Sequence, residues 1–318
     1  MLTTVVRSVV QTANAEGRTR QNFNREWRFN LGDVKDGQSP TLDDATWDRV
    51  GLPHSFSIPY FQSPDFYVGY GWYRKHFKLP ADAAGRRVSL EFEGAFQVAE
   101  VFVNGHRAGE HRGGYTGFSI DITNAAKPGE DNVVAVRVNN LWDARLAPRA
   151  GEHVFSGGIY RDVDLVITNP IHVAWYGTFV RSLNVSRDSA VVCIKTEIIN
   201  GGLKAKTLTV ESDIVDPDGK TVASLPKASC IPESIETTVV MQKSVPIPQP
   251  QLWSPAAPRM YTAITRVLDG ETVVDRYGLW EYMPYYRVGR LCSWDIGAMA
   301  LLGFIVWRVF RKTSFQAM

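Results

Sequence analysis

Cysteine is scarce in this 318-residue sequence, which contains only Cys193, Cys230 and Cys292. Three cysteines cannot all pair with one another, so a disulfide framework is excluded and at most one internal bridge can form. Their spacing includes no CxxC pair and no paired histidines nearby, which excludes the common zinc patterns. The sequence therefore predicts no metal site and no bound cofactor.

An excess of charge of one sign is also lacking. Lysine and arginine number 35 and aspartate and glutamate 33, which gives a formal net charge of +2 at pH 7. Because no segment is dense in lysine and arginine, the chain lacks the electrostatic footprint of a nucleic-acid-binding protein. Hydrophobic residues at 44% and charged residues at 21% exclude a disordered or low-complexity protein.

Long hydrophobic runs are lacking except near the C-terminus, at residues 296–307. A helix over this run would span about 18 Å, well short of the ~30 Å hydrocarbon core, so we do not expect a membrane anchor. At the other end, Ala13-Asn14-Ala15 has the form of a signal-peptidase site, but polar residues interrupt the apolar stretch before it. Residues 1–21 are expected to be a leader or the remnant of a signal peptide, which leaves a periplasmic, secreted or cytoplasmic location open.

Aromatic residues, at 11%, and glycine, with 26 residues, are plentiful, and many short segments alternate apolar and polar positions. Such alternation is typical of strands with one face in a core. Asn104-Gly105 is the strongest hairpin signal, because both positions of a type I′ turn need positive φ. Short strands separated by Gly, Pro and Asn predict a sandwich or jelly roll. The strands predicted in this first part are 88–94, 98–103, 118–122, 132–138 and 159–166.

A domain boundary is predicted at Asn169-Pro170, after which the strand-like pattern resumes. In the segment Asp216–Gly219, proline presets φ and glycine accepts the left-handed position, so we expect a turn there. Six or so strands in ~110 residues match the size of an immunoglobulin-like sandwich of the kind that lacks the antibody disulfide. The strands predicted here are 171–180, 191–199, 208–215, 237–245, 261–268 and 272–276.

A series of motifs runs in a fixed order from residue 27 to residue 255. They are WRFNLGD at 27–33, WDRVGLPH at 47–54, GYGWYRKHF at 69–77, FEG at 92–94, VFVNG at 101–105, GYTGFSIDIT at 114–123, NVVAVRVNN at 132–140, GGIYRDV at 157–163 and LWSP at 252–255. In this order and spacing they resemble the opening of glycoside hydrolase family 2, and within that family they are most similar to bacterial β-galactosidases.

The resemblance implies an all-β chain with a jelly-roll sugar-binding domain at 22–169 and an immunoglobulin-like sandwich at 170–282. It also implies a following (β/α)₈ barrel with two catalytic glutamates, which retaining hydrolysis needs about 5–5.5 Å apart. A barrel needs ~200 residues or more, whereas only 36 residues follow Tyr282, with Asp295 as their one carboxylate side chain. We therefore expect no catalytic residue in this chain, and an irregular or helical, non-native or hydrophobic tail at 283–318.

Two residues are candidates for substrate binding by the same resemblance. In the family, an acidic residue shortly before the GGIYR-like motif reaches the rim of the barrel's active site, and Glu152 is the residue that matches it, although an aspartate is expected. Tyr70 lies where the family presents another rim residue, usually an asparagine. The alternative for Glu152 is a solvated loop carboxylate. Trp27, Trp47 and Trp72 lie in strand-like motifs, which favours packing in the core over a sugar platform.

These observations predict a truncated, β-galactosidase-like family 2 glycoside hydrolase that is inactive by itself. Two alternatives are a free-standing carbohydrate-binding module and a non-catalytic partner of a separately encoded barrel chain. Carbohydrate is the expected ligand in each case. Since the surface that would face a barrel is left uncovered, we also expect exposed apolar side chains and association through them.

Overall fold

The computed structural model describes residues 17–56, 67–146, 156–253 and 258–278. Within these residues the regular structure is almost entirely β-strand, with one short 3₁₀ helix at Ala81–Ala83, which confirms the predicted all-β fold class. None of the described segments forms a helix long and apolar enough to cross a membrane. The chain divides into two compact units, Met1–Pro170 and Ile171–Met318. The predicted tail at 283–318 and most of the predicted leader lie outside the described residues.

The described residues of the first unit form ten strands in two antiparallel sheets. They are β1 (Arg18–Asn22), β2 (Trp27–Leu31), β3 (Asp48–Val50), β4 (Tyr70–Lys78), β5 (Arg87–Phe92), β6 (Val98–Val103), β7 (His106–Arg112), β8 (Phe118–Asp121), β9 (Asp131–Asn139) and β10 (Val163–Thr168). One sheet has the order β1-β10-β5-β8 and the other β3-β2-β4-β9-β6-β7. Because β1 pairs with β10 along its whole length, residues 18–21 of the expected leader belong to the fold.

Alternating side chains from both sheets of the first unit form one hydrophobic core. In β9, for example, Val134, Val136 and Val138 are all fully buried. Full burial of a valine-sized side chain contributes about 1.5–3 kcal/mol relative to exposure. Sheets that share a core in this way form a β-sandwich.

The hairpin predicted at Asn104-Gly105 is confirmed. Strands β6 and β7 pair with Val103 opposite His106, which leaves these two residues as the turn. Their φ angles are 51° and 85°, as a type I′ turn requires. The Asn104 side chain also donates to the carbonyl of Ala125 and accepts from the Val133 amide, so it holds the turn against neighbouring loops.

The second unit is a smaller pair of antiparallel sheets. Its strands are β11 (Ile171–Leu183), β12 (Ser189–Asn200), β13 (Leu208–Val215), β14 (Thr221–Ser224), β15 (Ala228–Cys230), β16 (Thr237–Lys243), β17 (Ile247–Pro248), β18 (Thr262–Asp269) and β19 (Thr272–Gly278). One sheet has the order β11-β12-β16, with β17 also on β12, and the other β14-β13-β18-β19, with β15 also on β13. The turn predicted at 216–219 occurs where expected, and Gly270 and Glu271 form the turn between β18 and β19.

A polar layer separates two hydrophobic clusters in the interior of the second unit. The Ser212 hydroxyl is 2.8 Å from Gln242 Oε1 and 2.9 Å from the Thr265 hydroxyl, and all three residues are buried. Thr178 and Thr196 lie opposite each other on β11 and β12. Among the described residues their buried hydroxyl groups have no hydrogen-bond partner. Two threonines of the same core therefore differ in a testable way, since Thr265 is paired and Thr196 is not.

We expect Thr196→Val to stabilise the second unit by about 1 kcal/mol, because valine keeps the shape and removes an unsatisfied buried hydroxyl. Thr265→Val is the matched control, since both threonines are fully buried. Losing its bond to Ser212 is expected to lower the free energy of unfolding by about 1 kcal/mol. Urea unfolding of both variants measures the difference, and equal effects of the same sign would contradict the assignment.

Candidate functional site

One end of the first unit brings together loops that are far apart in the sequence. The buried Asn140, just after β9, accepts a hydrogen bond from the Gly69 amide at 2.9 Å and donates to the Tyr67 carbonyl at 2.8 Å. These bonds hold the entrance of β4 against the exit of β9. An unpaired buried amide costs about 1–3 kcal/mol, so this one side chain fixes the spacing of the two loops.

The segment that leads into β10 is held at the same end. Phe96 and Gly158 form an antiparallel bridge, and the Tyr160 hydroxyl donates to the Gly114 carbonyl at 2.5 Å. Gly158 has φ 129°, a region that side-chain-bearing residues rarely adopt. A β-carbon on Gly158 would lie 2.6 Å from the His54 carbonyl oxygen, so only glycine fits.

An open cleft of about 450 Å³ lies beside the entrance of β4 and the exit of β9. Trp142 stands in its wall with 64% of its surface exposed, which is unusual for the largest apolar side chain. The wall combines this aromatic face with amide, carboxylate and guanidinium groups, a mixture typical of sites for polar small molecules. The lining residues are Tyr70, Val98, Arg112, Asn139, Leu141, Trp142, Asp143, Ala144 and Arg145.

The charged residues of the cleft are arranged around Asp143. Arg145 donates from Nε and from a terminal nitrogen to the two Asp143 oxygens, at 3.0 and 2.8 Å. Arg112 approaches the same carboxylate at 3.5 Å. The side-chain hydrogen bonds from Arg145 are the main reason that the pKa of Asp143 falls to about 2. Asp143 is thus a carboxylate at neutral pH and a hydrogen-bond acceptor for hydroxyl groups.

Tyr70, one of the two predicted site residues, lines this cleft. Its ring stacks on the Arg137 guanidinium, whose central carbon is 3.9 Å from the ring centroid. Arg137 is in turn paired with Asp33 at 2.5 Å and with Glu100 at 3.1 Å. The hydrogen bond from Arg137, opposed by burial, holds the pKa of Asp33 below its usual range. A cation–π contact of this kind fixes the orientation of the tyrosine ring.

The other predicted site residue, Glu152, lies outside the described residues. The tryptophans considered as a sugar platform are placed as their strand motifs predicted, because Trp27 and Trp72 are buried. The Trp27 indole donates to the Phe23 carbonyl, and the Trp72 indole donates to Asp33. Trp47 is half-buried and lies 5.9 Å from the Arg74 guanidinium.

Trp142, Arg112 and Arg145 are cleft residues that sequence reasoning missed. A signal for Trp142 was available, since this tryptophan lies four residues after the predicted strand 132–138 and is followed by the charged residues Asp143 and Arg145, which indicates a loop. Loops on a rigid scaffold carry binding residues more often than strands do. No comparable signal existed for Arg112, which comes from the end of β7 and reaches the cleft only through the fold.

Two carboxylates elsewhere in the first unit are paired but inaccessible. Glu91 and Asp164 are opposite residues on β5 and β10, and both bind Arg20, at 2.8 and 2.5 Å. Burial raises the pKa of Asp164 to about 6, against the opposing effect of Arg20. Both residues are buried, with 6% of the Glu91 side chain and 12% of the Asp164 side chain exposed, and Arg20 covers their carboxylates. Within the described part of the chain, no three His, Cys, Asp or Glu side chains are grouped as metal ligands.

In a comparison with known protein families, both units match domain models of one family. Residues 22–170 match the sugar binding domain of glycosyl hydrolases family 2, and residues 171–279 match a second domain model of the same family. Together these matches cover most of the chain.

Individual relatives agree with this assignment. The chain is 34% identical over 290 residues to a β-glucuronidase of Formosa agariphila and 36% identical over 270 residues to a β-galactosidase of Bacteroides ovatus. Each alignment covers 82% of this chain but only 29% and 31% of the relative. The crystal structure of a Bacteroides uniformis β-glucuronidase superposes with a TM-score of 0.76 and 30% identity, over 82% of this chain and 32% of that one. The chain therefore spans about 30% of the length of these relatives, and it belongs to glycoside hydrolase family 2.

Proposed function

We propose that this chain supplies the sugar-contacting and immunoglobulin-like domains of a β-galactosidase-like glycosidase, and that it binds glycosides without hydrolysing them by itself. The observation that carries the proposal is the open cleft with Trp142 exposed at one end of the domain that matches the family's sugar-binding model. In a longer protein of this family, hydrolysis would retain configuration through a covalent glycosyl-enzyme intermediate.

The chemistry of the cleft suits a sugar ring. An exposed indole offers a flat apolar face on which the C–H face of a pyranose can stack. Asn139 and Asp143 offer amide and carboxylate groups to the ring hydroxyls, and the nearby arginines offer donors. The accessible carboxylate in the described lining is Asp143, and one carboxylate cannot serve as both nucleophile and acid/base. Binding without turnover is the expected behaviour of the chain.

The test is turnover and binding measured side by side on the purified 318-residue chain. We expect no release of chromophore from p-nitrophenyl β-galactoside or p-nitrophenyl β-glucuronide above buffer. We expect weak binding of sugars at the cleft, detected by NMR titration and lost in Trp142→Ala. Phe179→Ala is the matched control, since it removes an aromatic side chain of similar exposure from the second unit. Turnover that disappears in Asp143→Asn would overturn the proposal, as would sugar binding that is unchanged in Trp142→Ala.

A second candidate function, partner of a separate chain, is favoured by an exposed apolar row on the second unit. Phe179, Val239 and Met241 are each more than half exposed on the outer face of the β11-β12-β16 sheet. Phe179 and Met241 flank Lys195 in one register row. Analytical ultracentrifugation tests whether this row is an association surface. Concentration-dependent association that is weakened by Met241→Lys supports this, whereas a monodisperse monomer at high concentration contradicts it.

A further inference from the structure

Strand β16 lies at an open edge of its sheet in the second unit. In the order β11-β12-β16 it pairs with β12 on one side, whereas the nearby β15 pairs with β13 of the other sheet. An edge strand carries a row of backbone amides and carbonyls that no neighbouring strand satisfies. The ladder between β12 and β16 identifies that row.

The backbone hydrogen bonds at the two ends of β16 show which of its residues bond to β12. The Asn200 amide donates to the Glu236 carbonyl, and the Ser244 amide donates to the Val192 carbonyl. Because bonded and non-bonded pairs alternate in an antiparallel ladder, the even-numbered residues of β16 bond to β12. The odd-numbered residues direct their amides and carbonyls away from the sheet, and within the described part of the chain no other strand pairs with them. They are Thr237, Val239, Met241 and Lys243.

Exposed apolar side chains are placed symmetrically about Val240, the central residue of β16. On either side of it, Val239 is 51% exposed and Met241 is 64% exposed. Beyond the two ends of the strand, Ile235 and Val245 are 80% and 62% exposed, at equal distances from Val240 along the sequence. A strand with this symmetry presents the same apolar pattern to an antiparallel copy of itself.

The protection that edge strands usually carry is weak in β16. Natural edge strands are commonly blunted by charged side chains or prolines. The edge strand β7 of the first unit has this character, since it contains His106, Arg107, Glu110, His111 and Arg112. In β16 the one charged residue is Lys243, at the last position. The exposed middle of β16 is therefore suited to pairing with another strand.

We propose that β16 pairs antiparallel with β16 of a second copy of this chain, about a two-fold axis at Val240. Val239 of each copy then lies opposite Met241 of the other. Thr237 lies opposite Lys243, so no like charges face each other, and all four outward-facing residues of each strand gain hydrogen bonds. This inference goes beyond glycoside binding and rests on the second candidate function, because it assigns a partner and a register to that association surface.

Sedimentation of the full chain over a range of concentrations tests the pairing. We expect a monomer–dimer equilibrium that Met241→Lys weakens by about tenfold, because the two new lysines lie near each other at the two-fold axis. Val239→Pro is expected to weaken it similarly, since it removes an amide that faces away from β12 and keeps the bonds of its neighbours to β12. Phe179→Lys is the matched control, because Phe179 is 59% exposed on the same face but lies on β11, the strand far from this edge. It is expected to leave the dimerisation constant nearly unchanged.

Amide hydrogen exchange followed by NMR tests the same pairing without any substitution. We expect the amides of Val239 and Met241 to become more protected as the protein concentration rises. The amides of Val240 and Gln242 bond to β12 in the monomer, so their protection should depend much less on concentration. Equal concentration dependence of the two sets would overturn the edge pairing.

The outcomes separate this inference from the proposed functions. Association weakened equally by Phe179→Lys and Met241→Lys, with no effect of Val239→Pro, would overturn the edge pairing and leave the second candidate function standing. A monomer at every concentration would overturn both and leave glycoside binding untouched. Growth beyond a dimer through β16 would overturn the two-fold arrangement, because pairing of the two edges closes the interface.

Discussion

Replacing Arg74 with methionine is expected to lower the free energy of unfolding of the first unit by about 3–5 kcal/mol, as when one partner of a buried ion pair is removed. The Arg74 side chain is fully buried and binds Asp44 at 2.8 Å. The same guanidinium donates to the carbonyls of Gly37 and Ser39, at 2.6 and 3.0 Å. Methionine fills a similar volume but leaves a carboxylate and two carbonyls without these donors. Urea unfolding followed by tryptophan fluorescence measures the loss.

The control for this prediction is Arg87→Met, in which the ion pair lost is with Asp121. Both of its side chains are about half exposed, so water replaces the lost contact and the change is expected to stay below about 1 kcal/mol. Adding Asp44→Ala to Arg74→Met should cost less than Asp44→Ala alone, because the two residues share one interaction. Additive effects, or a loss for Arg74→Met no larger than that of the control, would show that the buried pair does not tie this loop to the sheet.

The ion pair between Arg74 and Asp44 also predicts how the stability of the first unit depends on pH. Burial opposes ionisation of Asp44, but hydrogen bonds from Arg74 and His76 outweigh it and hold the pKa of Asp44 below its ordinary value. The Asp44 carboxylate therefore binds a proton more readily in the unfolded chain than in the folded one. The pair's contribution to the free energy of unfolding is complete above the unfolded pKa of about 3.9. It is lost as the pH falls through the lower, folded pKa. The difference in the free energy of unfolding between the native chain and Arg74→Met, measured by urea unfolding, should thus shrink as the pH is lowered from 7 to 3.

Gly158→Ala is expected to destabilise the first unit by about 2–5 kcal/mol, from backbone strain and overpacking together. The φ of 129° is unfavourable for alanine. The new β-carbon would also lie 2.6 Å from the His54 carbonyl oxygen and 2.8 Å from the Tyr73 hydroxyl. Backbone atoms cannot move aside without disturbing the bridge to Phe96.

Gly129→Ala separates the two causes. Gly129 also has a positive φ, of 81°, but the nearest atom to an added β-carbon would be that of Ala81 at an ordinary 3.5 Å. Only the left-handed backbone is then penalised, by about 1–2 kcal/mol. If both alanine variants unfold at the same urea concentration, close packing at Gly158 has no share in its stability.

Much of the site could not be read from the sequence, for a physical reason. Tyr70 was identified by a motif, but its stacking on Arg137 joins residues 67 positions apart and depends on the pairing of β4 with β9. Arg112 and Trp142 meet at one cleft because β7 and the loop after β9 end on the same side of the sandwich. Sequence patterns report the alternation of a strand, and they do not report which strand ends converge. Glu152 remains a prediction.

Turns and alternation were determined by the sequence itself. Asn104-Gly105 forms its turn because the φ values it needs are a property of those two residues, and the apolar positions of β9 face the core because successive side chains of any strand point to opposite sides. The burial of Arg74 was decided only by the tertiary structure. The residue lies in a strand motif rich in cations, and nothing local marks it as different from the exposed His76 beside it. Its position became favourable only when a loop 30 residues away supplied Asp44 and two carbonyls, since a buried charge needs partners that only the folded chain can place around it.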